Sequence, residues 1–112
     1  MKLPGGDHAV VPPGKLEDYC LAPNHADGGH KARVFASALG LGPEDADVLR
    51  RALLDAARTE EAVPVGVSSY GPLYRVRFVL SFKGHTAVIR SGWIVRDDGV
   101  AYLTTALVEK VR

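Results

Sequence analysis

The chain has 112 residues, of which 46% are hydrophobic and 24% charged, and its 14 basic and 13 acidic side chains leave a net charge of +1. That length supports a single core without staples, and the near-neutral balance withholds any global charge argument for nucleic acid. The lone cysteine, Cys20, excludes an internal disulfide and a cysteine-based metal cluster. No apolar run approaches a membrane span and "MKLPGGDHAVVPPG" has no signal-peptide core, so a cytoplasmic protein, or a domain released from something larger, is expected.

In chain order, "PPGKLEDYCLA" opens with prolines suited to a first helical turn, and Leu16, Tyr19 and Cys20 share one helical face. "GGHKARVFASALG" follows, with Ala32, Phe35, Ala36 and Leu39 at helical spacing and Gly40 as a C-terminal stop. "GPEDADVLRRALLDAARTEE" predicts the clearest helix. Pro43, Glu44, Asp45 and Asp47 suit its positive end, and Val48, Leu49, Ala52, Leu53 and Ala56 form its apolar stripe.

After Glu61 the period changes. "AVPVGVSSYG" reads as a strand, at an edge because of Pro64. "LYRVRFVLSF" alternates, with Tyr74, Val76, Phe78, Leu80 and Phe82 on one face and Arg75, Arg77, Val79 and Ser81 on the other. "KGH" turns into "TAVIRSGWIV", and "RDDG" into "VAYLTTALV". In the third strand Val88, Arg90 and Ile94 compete with Ile89, Ser91, Trp93 and Val95 for the inside. The expected class is α+β: N-terminal helices packed on one face of a four-stranded antiparallel meander. It forms one domain over residues 1–112, helical over 1–61 and sheet over 62–112. Its expected core holds Phe35, Leu39, Leu49, Leu53, Val76, Phe78 and Leu80.

Charge is unevenly placed. From Ala62 to Arg96 there is no acid, while Arg75, Arg77, Lys83, Arg90 and Arg96 are present. Arg75 and Arg77 are expected to be exposed on the sheet face away from the helices. That face serves either polyanion binding or plain solubility.

"NHADGGHKARVF" offers a second cluster. His30 falls near a helix N-terminus, where free N–H groups favour an anion; Lys31 and Arg33 add charge, and an imidazole can move a proton near neutral pH. The alternative is a capping loop with a polar helix start. His25 and His30 lack a completing ligand set, so no metal site and no cofactor are expected.

The chain resembles a family of small, largely uncharacterised bacterial toxin-like domains. Their pattern runs Leu-Pro-Asn, Lys-Leu-x-x-Tyr-Leu-Leu-Asn-Pro, His-x-x-Gly-x-His-Lys-Ala-x-x-Phe and Val-Arg-x-x-Trp-Ile-Val. Here it is carried by "LPGGDH", "KLEDYCLAPNHADGGHKARVF", "RSGWIV" and "YLTTALV", with Gly5 and Ala22 departing from asparagine. The layout is also similar to the barnase–EndoU–colicin–RelE group of ribonuclease folds. That resemblance implies metal-independent RNA cleavage by attack of a ribose 2′-OH on the adjacent phosphate, with RNA (tRNA among the candidates) as substrate. An immunity or antitoxin protein is the implied partner. By analogy His30 is the general acid or base and His25 its reserve. Lys31 and Arg90 hold phosphate, and Thr104 or Thr105 hydrogen-bonds it. Arg75, Arg77 and Arg33 steer the backbone, and Tyr102 or Trp93 stacks on a base unless Trp93 is core. The non-enzymatic alternative is an interaction module that binds an acidic partner.

Overall fold

The computed structural model describes residues 1–112. Its regular elements are α1 (Gly29–Leu39), α2 (Ala46–Thr59), β1 (Ala62–Ser68), β2 (Gly71–Phe82), β3 (His85–Val95) and β4 (Ala101–Val111). A third, short helical segment, a wide turn over Leu16–Cys20, precedes α1. The helices pack on one face of a four-stranded antiparallel sheet of order β1-β2-β3-β4, an α+β fold. No helix is long and apolar enough to cross a membrane.

The alternation in β2 sets the inner face. Val76, Phe78 and Leu80 are buried, as are Phe35 and Leu39 of α1 and Leu49 and Leu53 of α2. Burial of such side chains stabilises by about 1.5–3 kcal/mol each. In β3 the inside belongs to Ala87, Ile89, Ser91 and Trp93, so Arg90 takes the outer face. The reason is a polar chain in the core: Trp93 Nε1–H donates to Ser91 Oγ at 2.9 Å, and Ser91 Oγ donates to the Val76 carbonyl at 2.7 Å. Satisfied in this way, Trp93 is completely buried and stacks on no ligand.

Turn chemistry fixes the register. Phe82 pairs with His85 across a two-residue turn in which Lys83 and Gly84 both have positive φ, at 51° and 80°, the geometry that matches strand twist. In β4 the register with β3 shifts between Gly92 and Trp93, so Thr104 is the extra residue of a bulge. A second shift, between Val88 and Ile89, sits opposite Glu109.

Both sheet edges are interrupted. On β4, Val10 N–H donates to the Ala101 carbonyl at 2.8 Å, and Leu103 N–H to the Val10 carbonyl at 3.0 Å. On β1, Pro64 lacks a donor and the register shifts before Gly66.

Candidate functional site

The outer sheet face carries a shallow depression of about 220 Å³. Its floor is Gly92, which pairs with Arg75 on one side and Thr105 on the other. Arg90, Leu107 and Val65 complete its rim, with the neighbouring Tyr74 and Ser91. Gly92 has no Cβ there, and the bulge residue Thr104 stands against the space one would take. A Cβ there would stand 2.8 Å from Thr104 Oγ1 and 3.4 Å from Thr105 Cγ2. Both threonine side chains therefore lie against the depression.

Two cations line this place, and a third is bonded to its Thr105 wall. Lys31 reaches from the first turn of α1 to the β4 edge, where its Nζ donates to Thr105 Oγ1 at 3.3 Å. Arg90 stands on the rim, 40% exposed, with Glu109 at 3.7 Å. Arg75 is half-buried, and its Nε is the structure's one buried side-chain nitrogen or oxygen with no hydrogen-bond partner. The structure thus brings together Lys31, Arg75, Arg90, Thr104 and Thr105.

Other candidates stand elsewhere. His30 is exposed, and helical spacing puts it on the side of α1 opposite Ala32, Phe35 and Leu39. It does not line the depression with Arg90, contrary to the expected convergence. His25 is half-buried and held as a cap: its Nδ1 accepts the backbone N–H groups of Asp27 and Gly28, each at 3.0 Å. With Nδ1 accepting both, that nitrogen is engaged by the loop and faces no ligand. Arg33 shares the exposed side of α1 and donates to the Pro23 carbonyl at 2.8 Å, a loop tie rather than an RNA contact.

The expected free basic face is also corrected. Arg77 is exposed but paired: its Nε and one terminal nitrogen donate to Glu109 Oε1 at 3.1 and 2.8 Å. The acid-free run in sequence hid this, because Glu109 comes from β4. Tyr102 is committed to the β3–β4 turn, its hydroxyl donating to Asp98 Oδ2 at 2.7 Å and its ring 4.9 Å from the Arg96 guanidinium. That bond, and after it the Val100 N–H, holds the Asp98 carboxyl below its usual range, while Asp98 pushes the Tyr102 phenol above its own.

Residues outside the sequence-derived set stand beside Lys31. Lys15 Nζ lies 5.3 Å from the centre of the Tyr19 ring and Lys31 Nζ 5.8 Å, with the His25 ring edge-on to it at 4.9 Å. Only the four-residue spacing of Lys15 and Tyr19 was visible in sequence. The Gly28–Gly29 pair is explained by contact rather than flexibility: Cβ atoms there would each stand 2.6 Å from a carbonyl, of Tyr19 and of Pro23. No group of three His, Cys, Asp or Glu residues stands close enough to hold a metal ion.

A family model described as a domain of unknown function (DUF6883) matches residues 2–110. No curated protein matches the chain in sequence. Among solved structures, a chain of the contact-dependent growth inhibition toxin–immunity protein complex from Klebsiella pneumoniae 342 has a similar fold. Its TM-score is 0.73 at 17% identity, and the match covers 95% of this chain and 97% of that one.

Proposed function

The chain belongs to the DUF6883 family, and on that premise we propose that it is a toxin-type domain that binds RNA phosphate in the Gly92 depression and cleaves the strand without a metal. One observation carries the reading: the Arg75 and Arg90 side chains line one depression together with Thr105, the residue to which Lys31 donates. A phosphodiester is the kind of anion that two guanidinium groups on one rim suit. In-line attack of the ribose 2′-oxygen forms a P–O bond as the bond to the 5′-oxygen breaks, leaving a 2′,3′-cyclic phosphate and a 5′-hydroxyl. The 2′-OH proton ends on the 5′-oxygen, passed through solvent. Lys31, Arg75 and Arg90 oppose the negative charge on the phosphoryl oxygens as it grows. The fold similarity to a chain of a toxin–immunity complex supports the toxin assignment by analogy of architecture.

The test is incubation of the purified protein with total RNA and with tRNA in EDTA. Cleavage ending in cyclic phosphate is expected, lost in Lys31→Ala and Arg90→Ala and retained in His30→Ala. RNA binding without cleavage at any enzyme concentration overturns the catalytic part. A second reading, docking of an immunity-type protein, draws on exposed apolar side chains beside that depression. Val63, Val65 and Val67 of β1 and Tyr70 of the turn after it are 44–82% exposed, apolar side chains of the kind found at interfaces. Co-purification with the product of an adjacent gene, abolished by Val67→Asp, is its expected signature.

A further inference from the structure

Lys15 and Lys31 approach the same Tyr19 ring, at 5.3 and 5.8 Å, from the turn before α1 and from α1 itself. Both are half-buried, and neither ammonium has a carboxylate within salt-bridge reach. The acids of the Leu16–Cys20 turn are directed elsewhere: Glu17 pairs with Arg50 at 3.0 Å, and Asp18 lies against Gly14. Both charges stand around the one ring. Burial raises the pKa of the Cys20 thiol beneath them, and after the Ala106 backbone bond the fields of Lys15 and Lys31 both pull it back. His25 is fixed beside them, since its Nδ1 is occupied by two backbone N–H groups and its ring touches Tyr19. Two ammonium groups without a carboxylate, around a ring that the His25 imidazole also touches, are suited to an anion.

We propose that Lys15 and Lys31, with His25, form a second phosphate subsite beside the Gly92 depression, so that the ligand is single-stranded RNA carrying at least two successive phosphodiesters. The inference rests on the RNA reading above and deepens it. Lys31 is the link, because it touches both Tyr19 and Thr105, the latter a wall of the depression. A strand whose first phosphate meets Arg75 and Arg90 brings the next one over the β4 edge to Lys31 and Lys15. The chain therefore discriminates by the number of phosphates rather than by the base.

The experiment titrates wild type, Lys15→Gln and Arg75→Gln with 2′-O-methyl diuridine, which has one phosphodiester, and with 2′-O-methyl triuridine, which has two. Circular dichroism confirms that each variant folds. Wild type should bind the trimer more tightly than the dimer. Lys15→Gln should erase that difference while leaving dimer affinity unchanged, and should reduce the slope of log affinity against log salt for the trimer by about 0.7, the value for one phosphate contact on a single strand. Arg75→Gln should weaken both ligands. Equal affinity of wild type for the two ligands, or a Lys15→Gln effect that is nil or equal on both, overturns the subsite. An oligoglutamate of matching charge that competes as well as the trimer overturns the RNA assignment in favour of an acidic protein. If Arg75→Gln changes nothing while Lys15→Gln removes the trimer advantage, the Gly92 reading fails and the lysine subsite stands alone.

Discussion

Replacing Gly92 by alanine separates binding from stability. The added methyl would meet Thr104 Oγ1 at 2.8 Å and Thr105 Cγ2 at 3.4 Å. The first contact is too close, but its far partner is the end of a side chain that can turn about one bond. Forcing that rotation costs about 0.5–1.5 kcal/mol. Against it, alanine in a strand interior is favoured over glycine by roughly 0.5–1 kcal/mol. The two nearly cancel, so folding stability should stay within about 1 kcal/mol of wild type in urea titrations. The floor of the depression, however, would be filled directly between Arg75 and Thr105. A phosphate could no longer settle against both, and RNA affinity in a fluorescence titration should fall at least about tenfold, or 1.4 kcal/mol. Gly92→Val, whose extra methyls must also displace Thr105, should cost about 1–3 kcal/mol of stability as well. Wild-type affinity in a folded Gly92→Ala protein would refute the placement of the ligand.

Other outcomes are as definite. Ser91→Ala leaves the buried Trp93 Nε1–H without an acceptor, so unfolding free energy should fall by about 1–3 kcal/mol. Glu109→Gln releases Arg77 and Arg90 from their shared carboxylate; RNA should bind more tightly with a steeper salt dependence, while stability changes by less than about 1 kcal/mol. Asp98, its pKa lowered by Tyr102, contributes stability above the ordinary carboxylate range that is lost as pH falls through the lowered value. Tyr102 has a raised pKa, so its contribution is present below the ordinary value of 10.0 and lost as pH rises through the raised one. A tyrosine absorbance titration should show one late-titrating phenol that Asp98→Asn moves back toward 10.0.

The helix and strand assignments were legible because their periods were clean: α2 repeats at helical spacing and β2 alternates without fault. The face taken by Arg90 was not, because both faces of β3 carry apolar residues. Only the Ser91–Trp93 hydrogen bond, made inside the core, decides between them. The candidate site was half visible. Lys31, Arg90 and the two threonines could be named from motif and charge, but their meeting depends on a bulge whose extra residue no pattern announces. His30 misled because a helix start attracts anions in general, whereas its direction depends on which side of α1 packs. Glu109 was missed because strand order, not chain proximity, sets it beside Arg77.

The interrupted sheet edges govern how another protein can recognise this one. With Val10 spliced against the start of β4 and Pro64 withholding a donor on β1, a visiting strand finds the main-chain ladder broken at one point on each flank. Backbone ladders accept nearly any sequence, whereas side chains on a face are individual. A partner would therefore grip this surface residue by residue, and its fidelity would shift with single substitutions on the face. Two variants differing only there could ignore each other's partners while sharing every backbone atom.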